Sequence, residues 1–152
     1  MYIPLLIATT LLTGCSVGLL FGFACAVMPG LRRCDDATFV QAMRHINDAI
    51  LNPWFYTVFI GAIPALVITL IVGIAGDATT WPVIAATVLY LTAIGITGGV
   101  NIPLNNRLLA DAPTGDPRDV RAHFEAKWTR WHLVRTVAGI IGFGFLCVAF
   151  TV

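Results

Sequence analysis

The charges of this 152-residue chain are placed so unevenly that they decide what it can fold into. Residues 1–31, 49–76, 78–106 and 136–152 contain no Asp, Glu, Lys or Arg. A helix needs about 20 mainly apolar residues to cross the hydrocarbon of a bilayer. The first three runs exceed that length, and the fourth reaches it if Trp131 to Arg135 form an interfacial first turn with the Arg135 head snorkelling toward water. The expected fold class is all-α: a four-helix transmembrane bundle with short amphipathic helices in its two long loops. It forms a single integral membrane domain over residues 1–152, with spans at about 3–29, 53–76, 81–106 and 131–151.

Composition supports the class and removes others. Charged residues make up 11% of the chain, about half the share of a water-soluble domain. A net charge of +1 leaves no basic surface for nucleic acid. The four cysteines do not form a disulfide framework or a zinc site: Cys15, Cys25 and Cys147 lie inside apolar runs, where a small thiol packs well, and Cys34 stands alone in a polar loop. Leu12-Thr13-Gly14-Cys15 resembles a lipoprotein cleavage box, but no Lys or Arg precedes it and the apolar run continues through Met28. The first segment is expected to stay in the mature protein.

All nine basic residues fall in or beside the loops at about 31–51 and 107–130, and none in the short turn at about 76–80. Retention of Lys and Arg on the inner side places both long loops in the cytoplasm and both termini outside. Asn52-Pro53 and Thr80-Trp81-Pro82 read as caps and first turns of spans two and three, and Pro64 predicts a kink in span two. Gly14, Gly18 and Gly22, followed by Ala26, form a small-residue stripe. It is read as a seam within the bundle, with a homo-oligomer contact as the alternative. In the first loop Asp35, Asp36 and Thr38 start a helix whose Phe39, Met43, Ile46 and Ile50 share a face. In the last, Asp116 caps a helix from Pro117 that can run into span four.

Polar residues gather at one side of this arrangement. His45, Asn47, Asp48 and Asn52 precede span two, Asn101, Asn105 and Asn106 end span three, and Glu125, Trp128, His132 and Arg135 enter span four. Polar groups near lipid depth are costly unless paired or facing a cavity, so their convergence marks a candidate site at an aqueous entrance from the loop side. Trp128, His132 and Arg135 share a helical face, which points an aromatic plane, a titratable imidazole and a fixed cation together. Each residue also has a plainer reading. Asn52 can serve only as a cap, Asn101 and Asn105 can satisfy carbonyls freed by Pro103, the Trp and Arg can be interfacial anchors, and His45 can be merely solvated.

Asn47 through Asn52-Pro53, the Asn101-Ile102-Pro103-Leu104-Asn105 segment, and Trp128 with His132 and Arg135 together resemble the anthrone oxygenase-like family of small four-span membrane proteins. The resemblance covers nearly the whole chain. It implies a bacterial cytoplasmic membrane protein that oxidises an anthrone-like or other electron-rich aromatic with oxygen, with no cofactor and a hydrophobic aromatic small molecule as partner beside the lipid. Such chemistry needs a base, oxyanion donors and a dry aromatic slot. His132 is the expected base and His45 the alternative base or shuttle. Arg135 and Asn105 are the expected oxyanion donors, Trp128 the stacking plane, and Asn101 and Asn52 the orienting amides. The competing readings are a haem- or metal-binding redox component, with His45 and His132 as ligands and Asp48 or Glu125 completing the set, and a non-catalytic membrane protein. Against the iron version, the chain has no His-x-x-x-His and no Glu-x-x-His pair.

Overall fold

The computed structural model describes residues 1–152, which are all-helical with no strands. Four helices long and apolar enough to cross a membrane run over Tyr2–Leu31, Pro53–Ala75, Trp81–Asp111 and Pro117–Val148. The chain is thus an integral membrane protein of four spans.

Within the spans the order is α1 (Tyr2–Gly22), a π turn at Phe23–Val27, α2 (Met28–Leu31), α3 (Asp36–Ile50), α4 (Pro53–Phe59), α5 (Ala62–Ala75), α6 (Trp81–Ile96), a second π turn at Thr97–Asn101, α7 (Ile102–Asp111) and α8 (Pro117–Val148). Each π turn ends two residues before a proline, Pro29 or Pro103. A proline donates no N–H and its ring crowds the carbonyl four residues back, so the ladder ahead of it widens into a π turn and the span goes on.

Span two responds to its proline differently. Pro64 leaves the Ile60 carbonyl without its usual donor, and the helix breaks at Ile60–Gly61, where the Ile63 N–H turns to the Ile60 carbonyl at 3.0 Å. A Cβ on Gly61 would run into the Thr57 carbonyl oxygen, so the break needs glycine there. The Phe59 carbonyl accepts the Tyr90 hydroxyl at 2.8 Å, and the same hydroxyl lies 2.8 Å from Ser16 Oγ, which ties three spans at mid-depth.

Caps follow the sequence in part. Asn52 Oδ1 accepts the Phe55 N–H at 3.0 Å and Asp116 Oδ1 the Arg118 N–H at 2.8 Å. Thr80 sits at the start of α6 but its side chain makes no capping bond. The first loop holds a separate helix, α3. The last does not: its helix is the first half of the unbroken 32-residue α8. The third span also runs on to Asp111, past the expected end at 106.

The core has two parts. Leu6, Ala62, Leu66, Val83, Ala86, Tyr90 and Leu146 pack at the end of the bundle that carries the termini. Phe39, Met43, Leu108, Phe124 and Trp128 pack at the loop end, where the apolar face of α3 lies on α7 and α8. Arg121 holds α3 there. Its guanidinium donates to the Cys34 and Arg32 carbonyls, Asp36 and Glu125 at 2.7–3.0 Å, and lies 4.5 Å from the Phe39 ring centre. Arg32 completes the clamp by donating to Glu125 at 3.0 Å.

Two expectations fail at the helix seams. Gly18 is exposed, and neither Gly18 nor Gly22 has an atom within reach of an added Cβ, so the stripe is not an internal seam there. Only Gly14 packs, against the Phe143 ring. Close approach is provided instead by Gly139 against Val17, Gly142 against the Ala86 carbonyl, and Gly73 between Tyr2 and Thr80. Cys15, Cys25 and Cys147 likewise point outward instead of into the core. Their small apolar thiols suit lipid as well as protein.

Candidate functional site

A cavity of about 270 Å³ lies inside the loop-side half of the bundle, near the low end of volumes that hold small ligands. Its walls are mostly aliphatic and aromatic, and Arg135 is the only residue in them with a formal charge.

The polar floor is built on α8. His132 Nε2 is 2.9 Å from the Leu20 carbonyl oxygen, just ahead of the first π turn. A carbonyl can only accept, so Nε2 carries the hydrogen and Nδ1 presents its lone pair. That lone pair takes N–H bonds from Arg135 Nε and Nη2, at 3.2 and 2.9 Å. Arg135 Nη1 donates to Thr97 Oγ1 at 2.8 Å, at the start of the second π turn. Both irregular turns therefore serve one imidazole–guanidinium pair, consistent with π turns being placed where side chains need a widened ladder. Both side chains are buried, His132 at 1% and Arg135 at 7% exposure.

No carboxylate pairs with Arg135; every ion pair in the chain lies in the loop-side layer at Arg32, Arg107 and Arg121. On insertion scales a cation at mid-span costs about 2.5–3.5 kcal/mol. Its contacts here are neutral ones plus the Trp128 ring, whose centre is 5.5 Å from the guanidinium carbon.

Two more polar atoms lack a partner. The Asn101 amide donates to the Trp128 carbonyl at 3.3 Å, which leaves Oδ1 buried and unpaired. Asn47 Nδ2 on α3 is also buried and unpaired. Both residues line the cavity, so an acceptor, a donor and a cation stand around one apolar space. An unpaired buried polar atom costs about 1–3 kcal/mol, a penalty that a ligand with matching groups relieves.

The expected residues separate on this geometry. Asn101, Asn105, Trp128, His132 and Arg135 come together on the cavity wall. Asn52 does not line it: both ends of its amide are used in capping, Oδ1 by the Phe55 N–H and Nδ2 by the Ala49 carbonyl at 2.9 Å. His45 is exposed on the outer face of α3 and is absent from the wall. Trp128 is engaged from several sides. Its Nε1 donates to Asn105 Oδ1 at 2.7 Å, His132 stacks on it at 4.6 Å and 11°, and Phe124 lies 5.7 Å away on the helix turn before. It supports the imidazole, while Phe23, Phe55 and Phe59 supply further aromatic wall. Thr97 and the Phe55–Phe59 stack at 4.8 Å were not foreseen as site residues, and Asn47 was counted in the polar gathering without a role of its own. The spacing of Phe55 and Phe59 by one helical turn was the available signal.

No three His, Cys, Asp or Glu side chains gather in a way that could hold a metal ion. Four apolar spans around a mostly apolar internal cavity with a polar floor define a membrane protein that buries a cation and an imidazole within its bundle. The anthrone oxygenase family matches residues 54–145, more than half of the chain, and the chain belongs to that family. No curated protein and no solved structure matches it.

Proposed function

We propose that this protein is a membrane oxygenase that oxidises an anthrone-like or other electron-rich phenolic substrate with molecular oxygen, using side chains alone. The observation that carries the reading is Arg135: a buried guanidinium with no carboxylate partner, facing an aromatic cavity beside an imidazole of fixed tautomer. A site of this kind favours a ligand that becomes an anion during reaction.

The ring CH₂ of the substrate gives up one proton and becomes an oxyanion conjugated through the aromatic system. Two electrons pass, one at a time, from this anion to O₂, a carbon–oxygen bond forms, and the peroxide takes the proton back. Loss of water leaves the new carbonyl, so that CH₂ and O₂ become C=O and H₂O. His132 Nδ1 is the base in this scheme. As the side chains stand, its lone pair is covered by Arg135, so the guanidinium must turn its Nε and Nη2 hydrogens onto the substrate oxygen before Nδ1 can accept the proton. One movement then stabilises the anion and exposes the base. Asn101 Oδ1 accepts a substrate hydroxyl and Asn47 Nδ2 donates to a substrate carbonyl. His45 has no part in the scheme. The charge distribution supports a membrane orientation with both termini outside and the long loops in the cytoplasm, as in a bacterial inner membrane.

Oxygen uptake by the protein in vesicles, with anthrone as substrate and with or without a chelator, tests the reading. Uptake should be insensitive to the chelator and fall about 10²- to 10⁴-fold in His132→Ala, the usual contribution of a positioned base. If folded wild-type protein takes up no oxygen with any electron-rich phenol, the reading is wrong and only the fold and family stand.

A further inference from the structure

The cavity was expected to open to water between the loops, but its exposed wall lies elsewhere. The most exposed lining residues are Leu51, Tyr56 and Ile60, beside and along α4, and Gly98 and Ile102, in the second π turn and α7. Leu51 lies just before span two, the other four lie on the loop-side halves of spans two and three, and none is charged. Toward the loops the cavity is roofed by Met43, Ile46 and Asn47 of α3, which Arg121 clamps down, and by the Trp128–Asn105 hydrogen bond. Away from the loops α5 packs on α6, and the Tyr90 hydroxyl closes the space by bonding to the Phe59 carbonyl.

The gap follows from the break at Ile60–Gly61. Below it α4 packs on α1, whereas above it α5 packs on α1 and α6. The two halves of one span thus part company with span three. Ile60 lies seven residues beyond Pro53, or about 10 Å along the helix, within the roughly 15 Å of hydrocarbon that half a bilayer provides. Gly98, which lines the same cavity, has no atom within reach of an added Cβ and puts no side chain into the gap.

We infer that the cavity exchanges its ligand sideways with the bilayer, through a portal between α4 and the second π turn in the leaflet on the loop side. The occupant it admits is a planar, lipid-dissolved aromatic molecule. The apolar rim of Tyr56, Ile60 and Ile102 lets such a molecule slide from acyl chains into the cavity without crossing water, and its polar edge meets Arg135, Asn101 and Asn47 only at the end. A charged solute finds at the rim no charged group and only the Tyr56 hydroxyl to replace its hydration. The inference concerns the route and holds whether or not the oxidation proposed above takes place.

The test uses full-length protein in phosphatidylcholine vesicles with Trp54, Trp81 and Trp131 replaced by Phe, so that emission comes from Trp128 inside the cavity wall. Lipids brominated in mid-chain quench an indole that chains or lipid-phase bromine can approach closely. They should quench Trp128, and Gly98→Phe, which fills the open gap, should at least halve that quenching. The same change at Gly95, an exposed glycine with open space that does not line the cavity, should leave it unchanged. Menadione, a lipid-soluble naphthoquinone, should quench Trp128 on mixing, with an association rate that drops about tenfold in Gly98→Phe, within the range over which on-rates vary among variants of one site. A sulfonated, membrane-impermeant naphthoquinone should quench far more slowly. Equal bromine quenching in wild type and Gly98→Phe would overturn the portal, as would sulfonated quinone quenching as fast as menadione. A protein quenched by brominated lipid but indifferent to menadione would keep the portal and remove the quinone-like ligand.

Discussion

At the residue scale the pair that matters is His132 and Arg135, and the guanidinium's planar fork is what the geometry uses. Nε and Nη2 meet one nitrogen lone pair while Nη1 reaches Thr97. A lysine ammonium, a compact point donor, cannot reproduce this planar fork between acceptors on two spans. Arg135→Lys is therefore expected to lose most oxygen uptake, on the order of 10²-fold, the effect of removing one oxyanion donor. Thr97→Val should cause a smaller loss of the same kind, and His45→Ala none. Steady-state rates on the three variants decide this. The proximity of His132 and Arg135 was legible from their spacing of three on a helix. The contacts that fix their roles were not, because the Leu20 carbonyl and Thr97 come from other spans and depend on π turns. Asn52 shows the opposite case: its position before Pro53 already marked it as a cap, and the structure gives it that work and nothing in the cavity.

Elements were legible where composition alone decides them. Charge-free runs show the spans, and Asp35 marks the start of α3. The Thr38 amide donates to the Asp35 carboxylate at 2.9 Å and the Thr38 hydroxyl at 2.7 Å, and these bonds hold its pKa below the ordinary carboxylate value. A lowered carboxylate pKa means that the cap contributes above the usual titration range and is lost as pH falls through the folded value. Helix α3 should thus fray first at its Asp35 end on acidification, which amide exchange at Thr38 and Phe39 would report. Seams were not legible, because a stripe of small residues looks the same whether it meets a helix or lipid. Gly18 faces outward, whereas a side chain at Gly73 would strike Tyr2 and Thr80. Gly73→Leu should lower the detergent melting temperature clearly more than Gly18→Leu, with overpacking costing about 1–3 kcal/mol. Equal losses would mean that Gly18 meets a second copy of the chain.

For the molecule as a whole, the polar groups and the apolar walls make opposite demands. The loop-side layer is held by partly buried ion pairs, and the bundle by close-packed apolar residues, so neither needs the one charge placed in the cavity. Replacing a buried charged group and its partner with apolar side chains of similar volume is often neutral or stabilising by about 1–4 kcal/mol. His132→Leu combined with Arg135→Met should therefore melt no lower than wild type while losing all oxygen uptake; a drop in melting temperature would show that the pair also holds the spans together. Natural sequences tolerate such a cost only where it is repaid in activity. A lineage released from selection for turnover would then discard this arginine and histidine early and keep its glycines and tryptophans. Whether a descendant still has both residues is thus a record of use, readable long after the substrate itself has been forgotten.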